Sequence, residues 1–136
     1  MYTPIDLLPG AKHDLAKLSQ DDPDAFAGIV VFLQEARADG RLIDKFTTHG
    51  NVEIGPFSAN VKGWSAARSR ANNLFRFRVL NTPATKYRVV YGYDWRTRRF
   101  GILAVLDKDS FDYDINSYIG RRIVADWRHA TGNEDT

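Results

Sequence analysis

Arg76 and Arg78 stand two residues apart in LFRFRVL (residues 74–80), alternating with Phe75, Phe77 and Val79, and Arg88 follows in KYRVVYGY (86–93). Side chains at every second position of a strand share a face, so the first run is apolar on one side and doubly cationic on the other. If the two runs are neighbouring strands, Arg88 can join that cationic face. A guanidinium stays protonated in proteins and presents two N–H donors to a phosphate at once, so these residues suit phosphate positioning and stabilisation of charge developing on phosphorus. Like charges on one strand face repel, and nothing in the run itself offsets them. The same pattern also fits the solvent side of a half-buried strand.

The charge map extends this face. Residues 60–99 hold Lys62, Arg68, Arg70, Arg76, Arg78, Lys86, Arg88, Arg96, Arg98 and Arg99 against Asp94 alone, a local charge of +9. The chain as a whole carries +2, which leaves −7 for the remainder. Such separation suggests a basic face presented to a polyanion. Trp64 lies among Lys62, Arg68 and Arg70, where an indole can stack on a nucleobase or anchor its segment to the core. Lys62, Trp64, Arg68, Arg70 and Lys86 are accordingly candidate substrate-binding residues.

The elements that must hold these side chains can be read from periodicity and punctuation. Residues 2–8 form a short apolar run in which Pro4 allows only an edge strand or strand start. Ala11, Leu15 and Leu18 recur at helical spacing after Pro9. Asp22 before Pro23 signals a helix start, and Phe26, Ile29, Val30, Leu33 and Arg37 carry the period to Gly40. Residues 44–73 read as an inserted loop followed by a basic helix begun at Ser58 or Asn60. The period then switches to two in LFRFRVL, KYRVVYGY and RFGILAVL, whose short connections imply an antiparallel meander. Ser117 can cap a last helix with Ile119, Ile123 and Trp127 on one stripe, before a polar tail at 131–136.

A chain of 136 residues with 43% hydrophobic and 26% charged residues is expected to be one α+β domain. It has no cysteine, which excludes disulfides and thiolate metal sites. The start MYTPIDLLPG lacks the pattern of a signal peptide, and the apolar stretch AGIVVFL is too short to span a bilayer, so a cytoplasmic protein without membrane contact is expected.

A strand, two helices, FRFRV, YRVVY and an apolar strand ending in a charged turn with a tyrosine resemble the RelE/ParE superfamily of bacterial toxins, over roughly residues 2–113. The resemblance implies a small twisted antiparallel sheet, an N-terminal strand plus a three-strand meander, with a helical hairpin on one face, here with an added C-terminal helix. In the RelE-like branch the other face cleaves messenger RNA on the ribosome, and a cognate antitoxin protein holds the toxin inactive. Carried over, the branch's basic positions fall on Arg76, Arg78 and Arg88, with Lys108 matching after a one-residue shift and Tyr113 matching its late tyrosine. No cofactor is implied.

RNA cleavage of this kind needs a base for the 2′-hydroxyl, cations for the phosphorane and an acid for the 5′-oxygen. The arginines suit the middle task. Tyr113 fits stacking or positioning, and exchanges a proton if neighbouring cations lower its pKa. Asp107 or Asp109 could act as the base. His13, His49 and His129 are scattered, with His49 a reserve acid or base if the insertion lies near the basic face. Asp107, Asp109, Asp112 and Asp114 lack the central glycine and terminal glutamate of a calcium loop, so no metal site is expected. Alternatives to the ribonuclease are a ParE-like inhibitor of DNA gyrase, and a non-toxic nucleic-acid-binding or partner-binding protein of the same fold.

Overall fold

Two prolines start the helical layer. The computed structural model, which describes residues 3–65, 73–111 and 113–132, opens with β1 (Ile5–Leu7), followed by α1 (Pro9–Asp21) and α2 (Pro23–Arg37). Proline fits the first helical turn because its missing N–H would have no partner there. Asp22 accepts from the Ala25 N–H at 3.2 Å and so caps α2 as its sequence predicts. A short α3 (Leu42–Phe46) leads into β2 (Gly50–Ile54) and β3 (Phe57–Gly63); β4 (Leu74–Val79), β5 (Tyr87–Asp94) and β6 (Arg99–Asp107) make the meander, and α4 (Tyr118–Thr131) closes the fold.

The architecture is the expected α+β one, with helices on a twisted sheet and an added C-terminal helix. It differs in the number and sense of strands. Six strands run in the order β1-β6-β5-β4-β3-β2, all antiparallel except that β1 pairs parallel with β6. The two extra strands come from the insertion, where Phe57–Gly63 is a strand instead of the start of a basic helix. Ala59 and Val61 are wholly buried while Ser58, Asn60 and Lys62 alternate on the opposite face, a period of two that a helix cannot satisfy. Gly55, at φ +55°, supplies the left-handed residue of the two-residue turn that joins β2 to β3. Residues 66–72, with Arg68 and Arg70, lie outside the described residues, as do Asp112 and 133–136 of the expected tail.

The two faces of the sheet have separate cores. On one face α1, α2 and α3 cover Phe75, Phe77, Tyr91, Tyr93 and Phe100, with Phe32 and Phe46 inserted among them. On the other, α4 packs Ile123 and Trp127 against Leu74, Val90, Leu103 and Ala104. Gly92 and Gly101, directly paired across β5 and β6, make that packing possible: a Cβ at either would come within 3 Å of the Trp127 ring. Arg122 of α4 reaches Asp14 of α1 at 2.8 Å and Asp126 accepts from the Gly10 N–H, tying the helices of the two faces together past one edge of the sheet. Because α4 covers β5 and β6, the part of that face built by β3, β4 and the start of β5 is left for the cationic side chains.

Candidate functional site

The register of the sheet sets the cationic face. β3 and β4 pair Lys62 with Arg76 and Asn60 with Arg78. β4 and β5 pair Arg76 with Val90, and the same register puts Arg78 across from Arg88. Residues directly opposite have Cβ atoms about 5 Å apart, so three strands place four cations in adjoining cross-strand positions. This arrangement costs stability. None of Lys62, Arg76, Arg78 and Arg88 forms an ion pair among the described residues. Arg76 instead donates to the Asn60 carbonyl and side-chain oxygens at 3.3 and 3.2 Å, and Arg88 to the Thr85 carbonyl at 3.0 Å. The Arg78 Nε is buried without a hydrogen-bond partner among the described residues.

An open cleft of about 390 Å³ lies over these residues, lined by Lys62, Gly63, Trp64, Ser65, Arg76, Arg88, Lys108 and Tyr113. Six of the ten predicted site residues thus share one cavity although they span 52 positions of the chain. Arg78 adjoins it through the register. β6 and the turn after it bring Lys108 and Tyr113 to the rim, and Lys108 is held there by its N–H bond to the Lys86 carbonyl at 3.1 Å.

Tyr113 is held in a strained conformation, with φ +63°, in the left-handed region that L side chains other than Asn and Asp rarely adopt. Trp64 fixes it. The indole N–H donates to the Tyr113 carbonyl at 2.9 Å, and the Trp64 ring meets Phe111 and Tyr113 edge-on. Burial raises the Tyr113 pKa, against the opposing pull of Arg76 and Arg88. Its phenol is therefore protonated, a proton donor at neutral pH, contrary to the lowering by cations that would suit a proton acceptor. Burial, with neighbouring cations acting in the same sense, draws the pKa values of Arg76 and Arg88 down, and Tyr113 opposes it in both. Guanidinium starts from so high a value that both remain charged.

Other predicted residues fall elsewhere. Trp64 is only 4% exposed, so its ring faces are committed to packing and it supports Tyr113 instead of stacking on a base. Lys86 turns to the helical side, where its ammonium meets the Asp22 carboxylate at 2.8 Å, the residue that caps α2. Asp107 faces the α1 side of the sheet beside Asp14, Lys17 and Asp21, and accepts from the Asp109 N–H. Neither Asp107 nor Asp109 lines the cleft, although both carboxylates act on Arg88 through space and oppose the fall in its pKa. His49 is exposed at the bend before β2, the strand at the far edge of the sheet, and does not line the cleft.

Sequence reasoning missed Asn60, which holds Arg76, and Asn51 beyond it, whose Oδ1 accepts from the Asn60 amide at 2.7 Å. The alternation of Phe57, Ala59 and Val61 with Ser58, Asn60 and Lys62 carried that signal. Neither protein-family models, nor curated proteins, nor solved structures give a match to the chain.

Proposed function

We propose that the protein is a RelE-like toxin, a ribosome-dependent endoribonuclease that cleaves messenger RNA and is held inactive by a cognate antitoxin. The observation that carries the reading is the cleft itself, where Lys62, Arg76, Arg88 and Lys108 surround a protonated tyrosine. Cations crowded on one sheet face, with no ion pair among the described residues, lower stability unless an anion joins them, and a phosphodiester is an anion that guanidinium groups bind with two donors.

The cleft divides the labour of transesterification. The 2′-oxygen attacks phosphorus as its proton passes to solvent, and Arg76, Arg78 and Arg88 stabilise the charge on the phosphorane oxygens. As the bond to the 5′-oxygen breaks, Tyr113 gives that oxygen its phenolic proton, leaving a 2′,3′-cyclic phosphate. The phenolate, flanked by Arg76 and Arg88, then regains a proton from solvent. Lys62 and Lys108 hold flanking phosphates at the two sides of the cleft.

Inducible expression with mapping of RNA ends tests this. The wild type is expected to arrest growth and cut messages on translating ribosomes, and Arg88→Ala to reduce cutting about 100-fold and relieve the arrest. Growth arrest with intact messages overturns the ribonuclease, and inhibition of supercoiling in that case identifies a gyrase inhibitor instead.

A further inference from the structure

The β2–β3 hairpin carries a polar patch that the phosphate chemistry leaves unused. Asn51 and Asn60 are directly paired across the two strands, on the face shared with Lys62, Arg76 and Arg78. The Arg76 guanidinium donates to Asn60 Oδ1 at 3.2 Å, and since guanidinium has only donors, this contact fixes which end of the amide faces it. The Asn60 Nδ2 must then point to Asn51, where it donates to Oδ1 at 2.7 Å. That in turn fixes the Asn51 amide. Its Nδ2 group is left on an exposed residue with no hydrogen bond among the described residues. The relay thus converts two ambivalent amides into a surface that offers donors.

We propose that Asn51 and Asn60 form a nucleobase subsite beside the arginine cleft that selects keto bases, guanine or uracil, over the amino bases adenine and cytosine. The proposal rests on the reading of the cleft as an RNA phosphate site. Guanine presents O6 and N7 as paired acceptors, and uracil presents carbonyl oxygens, whereas adenine and cytosine place an exocyclic amino donor on the same edge. An amino group facing the Asn51 amide would leave two donors opposed. Glu53, the next residue of β2 on this face, is held by the Ser58 hydroxyl at 3.0 Å and places a carboxylate at the hairpin end. It repels phosphate there, so the RNA backbone stays on the arginines and the neutral base turns to the hairpin.

The test is binding of the full chain to fluorescent RNA hexamers that differ only in one central base, measured alongside mapped cleavage ends. The wild type is expected to bind the guanine and uracil hexamers about tenfold tighter than the adenine and cytosine ones. Asn51→Ala should bring that ratio below about threefold without changing the salt dependence, and Asn51→Asp, which replaces donors by acceptors, should favour the amino bases. Arg88→Ala should weaken all four hexamers alike and keep the ratio. Equal wild-type affinity for the four, or a ratio unchanged in both Asn51 variants, overturns the subsite. Discriminating binding without cleavage overturns the ribonuclease alone, and cleavage indifferent to the neighbouring base overturns the subsite alone.

Discussion

Tyr113 combines a strained backbone, a raised pKa and two arginine neighbours, and its chemistry can be separated from its packing. Tyr113→Phe keeps the ring and the carbonyl that accepts from Trp64, so its melting temperature should stay within about 4 °C of wild type, the shift for roughly 1 kcal/mol or less. Cleavage should fall about 100-fold or more, the usual share of general acid catalysis. Equal cleavage by the two proteins would remove the phenol from the mechanism. The arginines invite the opposite experiment. Arg76→Met removes a half-buried cation that faces Lys62, and should raise the melting temperature by a few degrees in thermal unfolding while abolishing RNA cleavage, because the site is built at the expense of stability.

Tyr91 shows what a structural tyrosine looks like beside a candidate catalytic one. It is wholly buried, donates to the Phe46 carbonyl at 2.6 Å, and burial holds its pKa well above the usual phenol value. The unfolded chain loses this proton near pH 10 and the folded chain does not, so raising the pH above 10 favours unfolding. For each such proton the stability should fall by about 1.4 kcal/mol per pH unit above that point, and be fully present below it. Urea unfolding from pH 8 to pH 11.5 should show the decline, less steeply in Tyr91→Phe. An equal slope in that variant would assign the effect to other groups.

At the scale of elements, α4 depends on a flat floor. Gly92 and Gly101 let the Trp127 ring lie against β5 and β6, and a Cβ on Gly92 would sit 2.7 Å from it. Gly92→Ala should cost about 1–3 kcal/mol in chemical denaturation, the usual result of overpacking. Because Phe111 and Trp64 belong to the same cluster and hold Tyr113, the change should also weaken RNA cleavage at a distance. A destabilised variant with unchanged cleavage would uncouple α4 from the cleft. The start of α4 was legible in the sequence because a cap is a local signal: the Ser117 hydroxyl accepts from the Gly120 N–H at 3.0 Å, as its place before the apolar stripe implies. The hairpin was less legible. Its turn formers pointed to a loop, and seven alternating residues were outvoted by the basic, alanine-rich sequence after them.

At the scale of the whole molecule, the sheet sorts charge as well as apolar surface. Among the described cations of residues 60–99, Lys62, Arg76, Arg78 and Arg88 share the sheet face opposite the helical hairpin, whereas Lys86, Arg96 and Arg99 meet Asp22, Asp94 and Asp6. Binding of single-stranded RNA through four phosphate contacts should fall with salt with a slope near −3 in log–log terms, at about 0.7 per contact. Arg88→Ala should lower the slope by about 1 and not alter base preference. An affinity insensitive to salt would mean that the cationic face does not carry the binding.

The sequence by itself determined the helix starts at Pro9, Pro23 and Ser117, the three-strand meander, and a face on which Arg76, Arg78 and Arg88 fall together. These follow from caps and from alternation, which act over a few residues. Only the tertiary structure decided what each exposed or buried group meets. Parallel pairing of β1 with β6, burial of Trp64, capture of Lys86 by Asp22 and the protonated state of Tyr113 all depend on partners 20 to 95 residues away. Periodicity states which side chains share a face, whereas the solvent and charges that a face encounters are set by long-range contacts, and those contacts fix the chemistry of the cleft.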